Sequence, residues 1–288
     1  MNARLLFLHA LSPLHAGTGQ GTGAIDMPIA RERATNLPFV PGSTIKGVLR
    51  DNCTDDALQK KIFGPKTDNA EDHAGSAQFA DARLLLLPVR SLLGTFAWVT
   101  SPYVLRRLLR DLANAGITGA PTTPLQPSDE SRCIVCYNTS AICDPQTSTV
   151  YLEDLDLQAA VEPHSNWATW LGQHIFPDDQ AWQTEFTKRF CVVHDNVLNF
   201  LLETSTEITA RIKLMEDSKT VQQGRLWYEE TLPTESILSG LVIATPVKKA
   251  AITTQEIYAE LQKLNGKTLQ VGGKATVGRG LVRLQIKQ

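Results

Sequence analysis

The chain has 288 residues, 42% of them hydrophobic and 20% charged, the composition of a protein that buries a core and not of a disordered one. Lys plus Arg number 28 against 30 Asp plus Glu, for a formal net charge of −2, which excludes a free-standing protein that grips nucleic acid by bulk charge alone. No stretch approaches the roughly 18 apolar residues of a membrane span, and the apolar run after Met1 is too short for a signal peptide, so a cytoplasmic protein with no membrane partner is expected.

Leu5 to Leu11 reads as a first strand, apolar on both faces as in a covered sheet. A loop with glycine at every second position follows, Gly17-Thr-Gly-Gln-Gly-Thr-Gly23, and lets backbone approach a ligand or another chain closely. After Pro41-Gly42, a short helix is expected to start at Ser43 as N-cap and to bury Ile45, Val48 and Leu49. Ser101 as cap, Pro102 at the first turn and Gly116 as stop delimit a longer helix. Its inward face is Val104, Leu105, Leu108, Leu109 and Leu112, and Arg106, Arg107 and Arg110 are assigned to solvent.

Residues 118–149, rich in Pro, Thr, Ser and Asn, read as an insertion or long loop outside the core. Helices are expected from Trp167 to Phe176 and from Asp178 to Phe190. From Thr206 the pattern alternates, with Ile208, Ala210, Ile212 and Leu214 opposite Thr209, Arg211 and Lys213. A turn at Glu216-Asp-Ser-Lys219 and a return through Leu226-Trp227-Tyr228 predict a protruding hairpin whose apolar face needs a partner. A helix from Thr254 to Leu264, a glycine turn and a strand from Leu281 to Ile286 end the outline, which is that of an α+β fold.

Several motifs bear on chemistry. Gly19-x-Gly21-x-x-Ala24 is a degenerate dinucleotide fingerprint, but Pro28 stands where the phosphate-binding helix would run, and Val48 replaces the lysine a P-loop needs after Gly47. Ser43, Lys46 and Arg50 place a helix N-terminus and two cations one turn apart, a combination suited to phosphate, with a solvated helix face as the plain alternative. Gly272, Gly273, Lys274, Gly278, Arg279 and Gly280 combine flexible backbone with two cations, as a loop tracking a phosphate backbone would. Asp26 is the only acid in the first 31 residues, and His15 lies beside the first glycine loop; a turn-forming aspartate and a packed histidine are the ordinary readings of both. Cys133-x-x-Cys136 with Cys143 lacks a fourth local ligand, leaving Cys191, His164, His174 and His194 as distant ones, and Arg132-Cys-Ile-Val-Cys-Tyr reads better as a strand, so zinc is not favoured.

Together, His15-Ala-Gly-Thr-Gly, Gly23-Ala-Ile-Asp-Met-Pro-Ile-x-Arg31, Phe39-Val-Pro-Gly-Ser-Thr-Ile-Lys-Gly-x-Leu-Arg-Asp51 and the closing glycine loop resemble the RAMP superfamily of CRISPR proteins. Phe79-Ala-Asp-Ala-Arg-Leu-Leu, Pro88-Val-Arg-Ser-Leu-x-Gly-Thr-Phe-Ala-Trp and Leu226-Trp-Tyr-Glu-Glu-x-Leu-Pro233 are similar to the backbone subunits of type III-B, or Cmr, effector complexes. The resemblance implies one RAMP domain over residues 1–288, with a ferredoxin-like (RRM-like) core and a β-hairpin thumb within 197–235. It implies copies of the chain stacked as a helical filament on a guide crRNA beside other effector subunits, with the thumbs interrupting pairing to a complementary target RNA. Lys46 and the 272–280 loop are then expected to hold the guide, and Asp26 to be the catalytic and metal-binding carboxylate of a Mg²⁺- or Mn²⁺-dependent endoribonuclease. His15, Tyr228, Glu229 and Glu230 are candidates for general acid and base. A catalytically silent RNA-binding scaffold, a metal-independent processing nuclease using His15, and the equivalent type III-A backbone subunit remain the alternatives.

Overall fold

Fourteen strands and seven α-helices are present among the described residues, which in this computed structural model are 2–287 except 20, 22–23, 66–73, 137–139, 162–165, 216 and 218–220. In chain order they are β1 (Ala3–Ala10), β2 (Phe39–Val40), α1 (Gly42–Asp51), α2 (Asp56–Phe63), β3 (Ala77–Phe79), β4 (Ala82–Arg90), β5 (Phe96–Thr100), α3 (Pro102–Ala115), β6 (Arg132–Val135), β7 (Thr149–Leu152), β8 (Leu155–Val161), α4 (Asn166–Ile175), α5 (Gln180–Arg189), β9 (Phe190–Val193), α6 (Asp195–Thr204), β10 (Glu207–Leu214), β11 (Val221–Thr231), β12 (Ile237–Ala244), α7 (Thr254–Gln262), β13 (Thr268–Gln270) and β14 (Leu281–Lys287).

Twelve strands form one mixed sheet in the order β13-β14-β1-β12-β4-β5-β9-β6-β8-β7, with β2 added to β4 and β3 to β12. β1 lies between β12 and β14, antiparallel to both. The pairs β5–β9 and β6–β8 are parallel. Leu5, Leu6, Phe7 and Leu8 of β1 are all buried, because helices α3 and α4 among others cover the sheet and a strand covered on both faces has no polar side to show. Trp98 anchors an aromatic cluster with Phe96, Phe176, Trp182 and Phe186, and its indole N–H donates to the Glu235 carbonyl at 2.9 Å.

The α+β class is borne out, and several local expectations are corrected. Helix α1 begins two residues earlier than its pattern suggests, with Pro41 in the N-cap position and Ser43 inside the helix and exposed. The first helical N–H, that of Gly42, donates to Asp81 Oδ1 at 2.8 Å, so a carboxylate 39 residues away supplies the cap. Only glycine fits there: a Cβ on Gly42 would lie 2.0 Å from the Phe79 carbonyl oxygen. Ser101 precedes α3 but makes no side-chain cap bond; Asp195 Oδ1 accepts the Tyr103 N–H at 2.9 Å instead. Arg107, assigned to solvent by its spacing, is drawn inward by Glu32, 3.4 Å away, which also pairs with Arg83.

The proline-rich stretch 118–149 is not all loop. Its middle supplies β6, whose Cys133, Ile134 and Val135 are buried with Cys136 and Ile142, since apolar residues are few there but concentrated where the chain crosses the sheet. The expected hairpin is present as β10 and β11, a two-stranded sheet separate from the main one, with Ala210 opposite Tyr228 and Ile212 opposite Leu226. Of its expected turn, Glu216, Ser218 and Lys219 lie outside the described residues. No described helix is long and apolar enough to cross a membrane.

Candidate nucleic-acid interface

Asp26 is exposed, and the backbone after it runs beside β11. The Met27 N–H donates to the Tyr228 carbonyl and the Glu230 N–H to the Met27 carbonyl, both at 3.0 Å. On its other side the segment pairs with residues 14–17, through the Ala30 N–H to the Ala16 carbonyl at 2.7 Å and a bridge between Gly17 and Ile29. Residues 26–31 thus fill the gap between the glycine loop and the hairpin, which satisfies backbone groups that neither strand could satisfy alone. Asp26 Oδ2 accepts the Tyr228 N–H at 2.8 Å, which orients the carboxylate through a main-chain donor. Gly23, Thr22 and Gln20 of the first glycine loop lie outside the described residues.

His15 is buried, with Nδ1 2.8 Å from the Glu230 carbonyl. A carbonyl only accepts, so Nδ1 carries the proton and Nε2 of the neutral ring is an acceptor. The closing glycine loop docks on the same residue: the Gly273 N–H donates to the His15 carbonyl at 3.0 Å. At Gly272, with φ +78°, a Cβ would lie 2.4 Å from that carbonyl oxygen, so this position admits only glycine.

The two cations of the closing loop are already engaged. Lys274, in the left-handed region at φ 68°, places Nζ 2.9 Å from Glu229 Oε1, and Arg279 lies 3.6 Å from Glu207 Oε2 and 3.4 Å from Thr209 Oγ1. Glu229 is buried and also accepts from the Trp227 indole N–H at 2.8 Å and from Arg211 Nε at 3.2 Å. Burial alone would raise its carboxyl, but the hydrogen bonds from Trp227, Lys274 and Arg211 and the charge of Lys274 outweigh it and bring the group down to about 2. Glu229 therefore holds no proton to donate at neutral pH. Glu230 is equally buried and is spent on Arg31, 2.5 Å away. Tyr228 is 41% exposed.

The structure thus brings together Asp26, His15, Tyr228, Glu229, Glu230, Lys274 and Arg279 at the base of the hairpin. Ser43, Lys46 and Arg50 sit apart on α1, which packs on β3 and α2. Lys46 has no protein partner among the described residues, whereas Arg50 donates to the Pro65 carbonyl at 3.3 Å. Asp81 occupies part of the α1 N-terminus that the sequence offers to an anion. Trp227, Arg211 and Glu207 were not singled out from sequence as site residues, although alternation puts Thr209 and Arg211 on one face and the register adds Trp227 and Glu229 to it.

The cysteines belong to the core. Cys133 and Cys191 are diagonal neighbours across β6 and β9, and their hydrogen bond together with burial holds the Cys191 thiol well above its ordinary value. Among the described residues no three His, Cys, Asp or Glu side chains are grouped so as to hold a metal. His174 bonds the Trp170 carbonyl and His194 caps α6 through the Asn196 N–H, while His164 lies outside the described residues.

Residues 7–283 match the model of the RAMP superfamily. The chain is 35% identical over 300 aligned residues to the CRISPR system Cmr endoribonuclease Cmr4 of Pyrococcus furiosus, covering 100% of this chain and 97% of that protein. The crystal structure of oligomeric Cmr4 from the same organism superposes with a TM-score of 0.77 at 31% identity, over 100% of this chain and 98% of the other. A chain of the type III-B Cmr-beta complex bound to cognate target RNA shares the fold, with a TM-score of 0.74 at 20% identity over 99% and 96% of the two chains. A model matched over nearly the whole chain and a full-length relative above 30% identity agree on the assignment: the chain is a member of the RAMP superfamily.

Proposed function

We propose that the chain is the guide-RNA-binding backbone subunit of a type III-B CRISPR effector complex and cleaves complementary target RNA at Asp26. The full-length likeness to Cmr4 supports the assignment to that complex. The observation that carries the chemistry is the exposed Asp26 carboxylate, held by the Tyr228 N–H between the first glycine loop and the hairpin. In this reading residues 1–288 are one RAMP domain with a ferredoxin-like core, 118–149 is an insertion, and 197–235 contains the thumb. Copies of the chain and other type III-B subunits share one guide crRNA in the cytoplasm. A nearly neutral subunit suits such an array, where each copy binds weakly and neighbours add avidity.

The guide backbone is assigned to Ser43, Lys46 and Arg50 on α1 and to the loop containing Gly272, Gly273, Lys274, Gly278, Arg279 and Gly280. Lys274 and Arg279 keep their ion pairs with the hairpin, so the loop contributes mainly main-chain N–H groups, and Lys46 is the cation free to meet phosphate. Asp26 fits a divalent cation of the kind that retains waters and takes one or two carboxylates plus substrate phosphates. Mg²⁺ or Mn²⁺ bound there would stabilise negative charge developing on the scissile phosphate. A target nucleotide displaced from pairing brings its own 2′-OH in line with the adjacent phosphate, giving a 2′,3′-cyclic phosphate and a 5′-OH. Of the candidate acid and base groups, Tyr228 and His15 are left for proton transfer, because Glu229 and Glu230 are committed to ion pairs.

The same commitment favours one second reading, a silent RNA-binding scaffold in which Asp26 only shapes its loop. The complex assembled with guide and partner subunits decides between them when given end-labelled complementary RNA. Regularly spaced cuts that need Mg²⁺ or Mn²⁺ and fall at least about 100-fold in Asp26→Ala, with target binding retained, are expected. Binding without cuts in wild type and variant alike would leave the scaffold.

A further inference from the structure

Glu230 is 3% exposed, and its carboxylate and main chain together gather groups from three separate parts of the chain. Oε1 accepts from Arg31 at 2.5 Å and from Thr206 Oγ1 at 3.0 Å, and Oε2 accepts the Ile29 N–H at 3.1 Å. Its main chain does the same work: the N–H donates to the Met27 carbonyl, and the carbonyl accepts from His15 Nδ1. Arg31 continues outward to the Asn36 carbonyl at 3.1 Å and to the Leu202 carbonyl, in the last turn of α6, at 2.8 Å. One residue therefore ties the segment that follows Asp26, the segment that contains His15, and the residue that opens the hairpin.

We infer that Glu230 is a positioning residue: by clamping Ile29 and Arg31 to β11 it sets where the Asp26 carboxylate stands relative to the hairpin. Three features carry this. The bonds to Met27 and Ile29 lie next along the pairing from the Tyr228 N–H, which meets Asp26 Oδ2, so a shift of residues 27–29 along β11 breaks that contact. A buried ion pair adds little stability over well-packed apolar groups but imposes directional geometry that they do not. Thr206 on Oε1 links the same carboxylate to the start of β10, so the hairpin and the Asp26 segment move as one body. Buried and fully engaged by protein groups, Glu230 takes a positioning role in this reading and not a catalytic one.

The effect on cleavage rests on the reading of Asp26 given above, whereas the clamp does not, and the experiment separates them. Amide exchange is measured on the full chain as wild type, Glu230→Ala and Glu230→Gln. Single-turnover cleavage and target affinity are measured on the assembled complexes. In Glu230→Ala the amides of Met27, Ile29 and Tyr228 should lose protection by about tenfold or more while those of β1 and β12 keep theirs. Its single-turnover rate should fall roughly 10- to 100-fold, as when a group orienting a functional ligand is removed, with target Kd within about twofold. Glu230→Gln, whose one amide oxygen can still accept the Ile29 N–H while its NH2 donates to Thr206 Oγ1, should recover part of both losses; it also carries the test if the alanine variant loses protection throughout the main sheet.

Unchanged protection at Met27, Ile29 and Tyr228 overturns the clamp. A reduced rate with that protection intact overturns it as well, because Glu230 would then act on the reaction directly. A wild-type complex that binds target without cutting removes the Asp26 reading, and the exchange pattern still decides the clamp.

Discussion

On β1, Leu5, Leu6, Phe7 and Leu8 are at most 2% exposed; on the hairpin, Ile208, Ile212 and Leu226 are 50–54% exposed. Similar side chains in similar strands meet opposite fates because β1 has a strand on each side and helices over the sheet, whereas β10 and β11 form a two-stranded sheet that only the segment around Met27 joins, at its base. Two strands alone are marginal in water. The hairpin is held from its base by polar anchors, Glu229 on Lys274, Glu207 on Arg279 and Glu230 on Arg31. Its apolar face is left for something other than its own core, as contiguous exposed apolar surface usually is. Stability in this molecule resides in the sheet, and placement of the hairpin resides in buried charge.

The contrast breaks most visibly if a sheet residue can be removed cheaply. Trp98→Ala empties a fully buried site at the centre of the aromatic cluster and leaves the Glu235 carbonyl without its donor. It should cost about 3–5 kcal/mol in urea unfolding. A loss under about 1 kcal/mol would mean that the cluster does not hold the sheet as described.

Acid acts next, at the base of the hairpin. The Glu229 carboxyl sits near 2 in the fold against an ordinary 4.5. Between those values the unfolded chain binds the extra proton, so this group's contribution is complete above about pH 4.5 and fades as pH falls through about 2. Partial exposure of Lys274 and Arg211 limits it to at most about 3 kcal/mol. Glu229→Gln should be less stable than wild type at pH 7 and converge with it as pH approaches 2; parallel curves throughout would show that the anchor is not electrostatic.

The smallest effect sharpens the other half of the comparison. Leu226→Ala on the open face should change the stability of the isolated chain by no more than about 0.5 kcal/mol. A loss of several times that would show the face to be packed within the chain itself.

Legibility in the sequence follows the same division. Elements that carry their own punctuation could be read directly: α3 between Pro102 and Gly116, α7 before the glycine turn at Gly266, and the alternation of β10. Strands β4 and β12 carry no such mark, because Leu84 to Leu87 and Leu241 to Ala244 are continuous apolar runs whose period does not distinguish strand from buried helix. Caps supplied from a distance were also illegible, as with Asp81 on α1 and Asp195 on α3, since nothing local marks them. At the site, Asp26, His15 and the closing glycines could be named from their motifs. That Lys274 and Arg279 are already paired, and that Glu229 and Glu230 anchor rather than titrate, depends on a cross-strand register and a loop docking that no local pattern encodes.

The position of β1 sets a schedule for the ribosome. Both of its neighbours, β12 and β14, come from the far end of the chain, and β12 begins roughly 230 residues after β1 ends, a wait of about 10–45 s at ordinary synthesis rates. Throughout that time a strand with no polar face trails from the nascent chain with nothing to pair with. Strand β1 is therefore among the last elements to find its place although it is made long before its partners, and Leu5 to Leu8 stay open to water until β12 and β14 have been synthesised.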